Sequence, residues 1–492
     1  MSLVLEKTII SLAALVLTYL TWVWSGLRLA WLPPAVYASL ALLILLLVSA
    51  VMPSRAIALR SRLWWRDPFF YFGLLFLGYL TIQWWNAGRI QYYDVGYREW
   101  RYSPPHHSGW PYAFSKSEAA QMLYWFFPAW VLGLAVRSPV VSRQTLSALI
   151  QGLVYGAGLL AVFGIVQFLT RTHCQYWLSP NAEGFFASFS YTNHAAAYFV
   201  LMGAMAAGLL FQELFRKPPR KHPLKVALLT TTLLLCLVGA NLSLSRAGVI
   251  LAWALAAFIA FYGLIKGWRK LRPAGRVNLA AATLAVVCIF YFAVAGFGSG
   301  DIAKEFTVKK PIHHVLFPVL DDINLALSNR PQLDMAAWQI WQDNKLLGVG
   351  GWGFRYLVAS YRPKAEWEYL KNNSGSANVH CDLLQFLTEF GIVGFGLMMA
   401  TVGTLLFALF QREKRPFNSA AVTAATTEGR RVSAGRDPLW FMGVIGLSLV
   451  VIFSLIDLPF RCPAILCTWV VILAAIPTLT ARGNLHQITN NV

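Results

Sequence analysis

The chain has 492 residues, of which 57% are hydrophobic and 14% aromatic while only 13% are charged, and its formal net charge is +20. So little polar surface excludes a water-soluble enzyme of this length and points to a membrane protein. Topology and attraction to anionic lipid account for the basic excess, so nucleic acid is not expected as a partner.

Taken in chain order, twelve apolar runs predict spanning helices at 8–24, 35–52, 69–85, 119–136, 145–169, 194–211, 226–240, 249–265, 277–297, 391–410, 439–456 and 462–480. A helix needs about 20 apolar residues to cross a bilayer, and barrel strands would alternate in short segments instead. The expected fold class is therefore an all-α integral membrane protein. The first run is longer than a signal-peptide core and no small-residue cleavage site follows it, so it reads as an uncleaved span.

Three parts are expected: residues 1–297 with nine helices and an aromatic outer loop at 86–118, a loop domain at 298–390 carrying a catalytic helix, and residues 391–492 with three helices and a basic inner loop at 411–438. The loops 54–68, 213–225, 266–276 and 411–438 carry 4, 5, 5 and 6 lysines and arginines, and all four fall on one side of this arrangement. The positive-inside rule makes that side cytoplasmic, with both termini there. Of the six cysteines, Cys236, Cys288, Cys462 and Cys467 lie in apolar runs, whereas Cys174 and Cys381 fall on the outer side, where a disulfide between them is open. Cysteine spacing gives no metal-site pattern.

The outer loop 86–118 is rich in Tyr, Trp, Pro and Gly without helical period, and reads as an interfacial aromatic cap or as a sugar-facing lid. Further on, Leu333, Ala337, Ile340 and Trp341 recur at spacings of three and four, which predicts an amphipathic helix opening at Arg330 and ended by the turn "GVGGWG". In "NVHCDLLQFLTEFGIVG", His380, Leu383, Leu384 and Leu387 share one helical face and Asp382, Gln385 and Glu389 the other. His380 is thus expected to begin a short helix that continues through Gly391 into the tenth span.

Ionisable groups at a membrane edge are expensive and mark function by default. Arg246, in the short loop "NLSLSRAGV" between two apolar runs, binds an anion or snorkels to lipid phosphates. Arg330 opens a helix whose dipole would be better served by an acid, which favours anion binding over a surface role. Neutral His380 can accept a proton at physiological pH. The adjacent Asp321 and Asp322 read as a solvated pair more readily than as a metal site.

Four blocks now stand in order: "FASFSYTNHAAAYF", "SLSRAG", "NRPQLDMAAWQIWQDNKLLGVGGWGF" and "HCDLLQFLTEFGIVG". Together they resemble the O-antigen ligase and polymerase superfamily of polytopic membrane glycosyltransferases. Phe189, Asn193 and Tyr198 fit its first block, Arg246 its second, Arg330 its third, and His380, Asp382, Leu384, Gln385, Glu389, Gly391 and Gly394 its fourth. Two departures stand out. Cys381 replaces the usual Asn, and Glu183 stands where many relatives carry an arginine, with Arg171 the nearest substitute.

The resemblance implies metal-independent, inverting transfer of a glycan from undecaprenyl pyrophosphate to an acceptor hydroxyl, on the outer face of the bacterial inner membrane and without a cofactor. It implies His380 as the catalytic base and Arg246 and Arg330 as pyrophosphate ligands. Asn193, Asp382, Gln385 and Glu389 would support or position donor or acceptor. The expected partners are the undecaprenyl-pyrophosphate-linked glycan, membrane lipids, and a lipid A core or a growing glycan as acceptor. A lipid A core acceptor is favoured because the outer region is one moderate loop with no large appended soluble domain. A polymerase or a protein O-glycosylating enzyme would differ only in acceptor. A lipid-linked saccharide transporter or flippase, the alternative of another class, would place charges along the spans themselves.

Overall fold

The computed structural model describes residues 2–51, 67–88, 92–94, 99–101, 107–180, 184–215, 222–268, 330–361, 378–411 and 437–480. The predicted span at 277–297, Cys288, Asp321, Asp322, Glu183 and most of the basic loops lie outside them. Every other predicted span is a helix. These are α1 (Ser2–Trp22), α2 (Pro33–Val51), α3 (Pro68–Trp85), α4 (Lys116–Arg137), α5 (Arg143–Leu169), α6 (Thr192–Leu214), α7 (Pro223–Leu242) and α8 (Arg246–Trp268). After α9 (Arg330–Asp343) and the single turn α10 (Phe354–Leu357) follow α11 (Asp382–Phe410), α12 (Pro438–Phe453) and α13 (Pro463–Thr480).

Among the described residues nine helices are long and apolar enough to cross a membrane, and α3, with 18 residues, and α12, with 16, occupy two more of the predicted runs. The chain is an all-α, multi-pass membrane protein. Among the described residues strands are confined to two short antiparallel pairs, Tyr92–Asp94 with Glu99–Arg101 in the aromatic loop and Cys174–Gln175 with Ser179–Pro180.

Three helix starts follow simple chemistry. Asp67, Ser142 and Asp437 cap α3, α5 and α12 by accepting from the backbone N–H of Phe69, Thr145 and Leu439, at 3.1, 3.2 and 2.8 Å. Each cap satisfies a donor that the helix cannot. Asp67 also pairs with Arg137 at 2.6 Å, and Asp437 accepts from Gln212 at 2.7 Å, which ties these helix starts to the ends of α4 and α6.

The helix α6 is buried all round, so it forms the centre of the bundle. Small residues let its neighbours approach closely. A methyl on Gly248 of α8 would overlap Ala196, one on Gly446 of α12 would reach within 2.6 Å of Ala204, and one on Gly208 of α6 would come within 3.0 Å of the Leu439 backbone.

A second, smaller core lies beside one end of the bundle. Leu333, Ala337 and Ile340 of α9 pack there with Phe354 and Val379, as predicted for that helix, while Trp341, the fourth residue of the predicted face, is only partly buried. The predicted turn "GVGGWG" follows and crosses α11, which is not continuous: Gly391 has φ 62° and ψ −173°, a conformation open essentially to glycine alone. The break leaves backbone groups unpaired inside the bundle, and the turn supplies their partners. Val349 and Gly350 donate to the Thr388 and Glu389 carbonyls at 3.1 and 2.8 Å, while Ile392 and Val393 donate to the Lys345 and Leu346 carbonyls at 2.8 and 3.1 Å. The Tyr79 hydroxyl bonds the carbonyls of both Leu347 and Phe390, at 2.5 and 2.8 Å, locking α3 to the joint.

Candidate active site

Helix α11 begins at Asp382, not at His380. The histidine stands two residues earlier with φ +64°, a left-handed backbone that is uncommon for a side-chain-bearing residue and worth explaining by function. The division of the helix into an apolar and a polar face holds, and it is the polar face that is buried. Asp382, Gln385 and Glu389 are fully buried, whereas Leu383, Leu384 and Leu387 are only partly so. In a bilayer the apolar stripe can face lipid, and the polar stripe turns inward when partners wait there.

Those partners come from the short connector between α12 and α13, "SLIDLPFRC". The backbone N–H of Asp382 donates to the Ser454 carbonyl at 2.9 Å, and its carboxylate accepts from the Phe460 N–H at 2.8 Å. Glu389 forms an ion pair with Arg461, and both side chains are almost entirely buried. Gln385 donates to Glu389 at 3.0 Å and to Asn378 at 3.2 Å, and accepts from the Val379 N–H at 3.0 Å. Inside a protein, groups linked this way hold one another in place because any one left unpaired would be costly.

The same connector brings Asp457 to His380. Asp457 Oδ1 lies 3.7 Å from His380 Nδ1, an ion-pair separation longer than a hydrogen bond. The carboxylate is buried and His380 Nδ1 is too, so the 30% exposure of the imidazole lies on its other atoms. The Tyr191 hydroxyl donates to Asp457 Oδ2 at 3.1 Å, and the Asn193 side-chain amide bonds both that oxygen and the Tyr191 hydroxyl. The Leu458 N–H donates to Asp457 Oδ1 at 2.8 Å. On the far side, His194 Nε2 bonds the Leu458 carbonyl at 3.0 Å. Burial pushes the Asp457 carboxyl up, but the neighbouring His380, the charge of His194 and the Leu458 N–H outweigh it and hold the group below the ordinary carboxylate range.

Four of the residues named from sequence, His380, Asp382, Gln385 and Glu389, are thus contiguous in space, and Asn193 joins them through Asp457. Arg246 is exposed at the first position of α8, whose start is capped by Ser245 accepting from the Gly248 N–H at 3.0 Å. Since Gly248 packs on Ala196, Arg246 sits at the level of the first turn of α6, which carries Asn193. Arg330 is the first residue of α9, and its side chain lies outside the described residues. Arg171, at the end of α5, is exposed with φ +49°. Cys174 and Cys381 are both free thiols. Among the described residues no group of three or more metal-ligating side chains occurs.

Asp457, Tyr191 and Arg461 are absent from the sequence-derived set. The signal was present in "IDLPFRCP", where an acid and an arginine share a short loop between apolar runs, the pattern that singled out Arg246.

Residues 231–399 match the family model described as O-Antigen ligase. No curated protein matches the chain. The matched segment holds the Ser-Arg, Arg-Trp and His blocks, while the Phe-Asn block precedes it and Asp457 and Arg461 follow it. That match, with the first and last blocks joined through one buried carboxylate, supports a membrane protein of the O-antigen ligase and polymerase type over the matched segment.

Proposed function

We propose that this protein is an O-antigen ligase-like enzyme that moves a glycan from undecaprenyl pyrophosphate to a hydroxyl of a lipid A core, with His380 as general base. The observation that carries the reading is the His380–Asp457 pair, a half-exposed imidazole backed by a buried carboxylate. A carboxylate at Nδ1 favours the tautomer with its proton there, which leaves the Nε2 lone pair for an acceptor hydroxyl.

The acceptor oxygen attacks the anomeric carbon as its proton passes to His380, and the bond from that carbon to the pyrophosphate oxygen breaks. The leaving group keeps the bonding electrons, so cations are needed to stabilise it. Arg246 and Arg330 have the right chemistry, since guanidinium pairs with phosphate oxygens and stays protonated. Attack from the side opposite the leaving group inverts the anomeric centre. Asp457 stabilises the imidazolium once it forms. Asn193 acts by orienting Asp457, while Asp382, Gln385 and Glu389 hold the segment that carries His380. The site faces the periplasm, both termini are cytoplasmic, and no metal takes part.

Charge placement favours this over transport. Apart from Glu6 near the start of α1 and Glu213 near the end of α6, which pairs with Lys225 at 3.3 Å, the buried charged side chains among the described residues, Asp382, Glu389, Asp457 and Arg461, all belong to this one site.

The test is transfer by detergent-solubilised protein from an undecaprenyl-pyrophosphate-linked polysaccharide to a lipid A core, with chelator present. Product should form, and His380→Ala should lower the rate by about 10²–10⁴-fold. Retained turnover in that variant would sink the general-base role. Extension of the carrier-linked glycan with no transfer to the core would instead identify a polymerase.

A further inference from the structure

Three segments meet at Arg461. Its guanidinium pairs with Glu389 of α11, and its central carbon lies 4.5 Å from the ring centroid of Trp352, in the glycine-rich turn, and 5.4 Å from that of Phe386. Trp352 itself has φ +64° and carries Arg355 at 4.3 Å from its ring, and Arg355 in turn pairs with Glu118 of α4 at 2.8 Å. Arg461 also stands four residues after Asp457 in the same connector.

Two chains of contact therefore run from this side chain toward the reacting pair. Through Glu389 and Gln385 one reaches the Val379 N–H, immediately before the left-handed His380, with links of 3.0 Å each from Gln385. Through the backbone of the connector, which is clamped at Phe460 by Asp382 at 2.8 Å, the other reaches Asp457. We propose that Arg461 is a positioning residue that sets the separation of His380 and Asp457. It holds the imidazole through Glu389 and Gln385, and the carboxylate through their shared connector. This rests on the reading of His380 as the base.

A merely neutralising cation would not need this shape. The planar guanidinium can stack on Trp352 while pairing with a carboxylate at its edge, which an ammonium cannot do. Its Nε and Nη1 are buried with no hydrogen-bond partner among the described residues, where the side chain is held by its stack and by the Glu389 carboxylate. Geometry of this kind matters because small misplacements of reacting groups are expensive in rate.

Two variants test the proposal, Arg461→Lys and the double variant Glu389→Gln with Arg461→Met, which removes both members of the buried ion pair together. Each is assayed for kcat and KM in the transfer reaction above. Each is also assayed, without substrate, for the rate at which diethyl pyrocarbonate modifies His380, followed by mass spectrometry of the His380 peptide. The expected result is folded protein with kcat lowered about 10²-fold, unchanged donor KM and several-fold faster modification of His380. If Arg461→Lys fails to fold, the double variant carries the test. Wild-type kcat and wild-type modification rates in a folded variant would overturn the proposal. So would lost turnover with unchanged modification, which would make Arg461 act on substrate directly. Altered modification in the variants of a protein whose wild type transfers no glycan would support positioning while removing the glycosyl-transfer reading.

Discussion

His380 and Asp457 are separated by 77 positions in sequence and by 3.7 Å in space. Replacing Asp457 with Asn keeps the size and most hydrogen bonds of the side chain but removes the charge that favours the Nδ1–H tautomer. Transfer should fall by about 10²–10⁴-fold with the helical content unchanged by circular dichroism. The group also predicts an acid limb in stability. Because its folded-state pKa lies below the unfolded value, its contribution is complete above the unfolded pKa, near about 3.9, and is lost as pH falls through the folded value. Thermal unfolding of the detergent-solubilised protein should therefore show an Asp457-dependent loss confined to pH below about 4, and this loss should vanish in Asp457→Asn. Sequence alone named the histidine and three of its supporting residues because they sit within ten positions of one another. It missed their partners because nothing local in "IDLPFRCP" says which distant helix start the acid and the arginine will face.

Among the elements, helix positions followed directly from apolar runs, since a helix in a bilayer must satisfy its own backbone. The interruption in α11 did not. Gly391 is compatible with a continuous helix on composition, and its role emerges only when the turn at 345–350 is seen bonding to both broken ends. The orientation of the first half of α11 was likewise not legible in the sequence. Apolar periodicity marks the inward face of a soluble helix, but beside lipid the same stripe can point outward and bury the acids instead. Gly391→Ala should expose the constraint. A Cβ there would collide with the Leu346 carbonyl and lie 2.5 Å from the Gly348 nitrogen, so with the backbone strain the loss should be at least about 1–3 kcal/mol. A lowered midpoint in thermal unfolding would show it. An unchanged midpoint would mean that the joint can close as ordinary helix.

At the scale of the whole molecule, the connections after α1, α3, α5, α7 and α12 all lie on the face that holds His380, and the capped starts of α3, α5 and α12 lie on the other. The proposed orientation can be read in cells. In a cysteine-free background, a cysteine at Trp110, 54% exposed beside the start of α4, should react with a membrane-impermeant maleimide once the outer membrane is opened. A cysteine at Leu224, 72% exposed at the start of α7, should react only after the inner membrane is broken. The reverse pattern would place the site in the cytoplasm, where no lipid A core transfer of the proposed kind could occur.

The pairing of Glu389 with Arg461 also bears on how the chain is made. Synthesis runs from the N-terminus, so α11 reaches the membrane with two acids on its inward face while the arginine 72 residues later is still untranslated. Carboxyl groups in that setting are costly until they are paired or protonated. The last two spans therefore act as a seal on the newborn site. A ribosome stalled between α11 and α12 should leave a chain that holds its histidine in the membrane and yet is readily extracted or degraded.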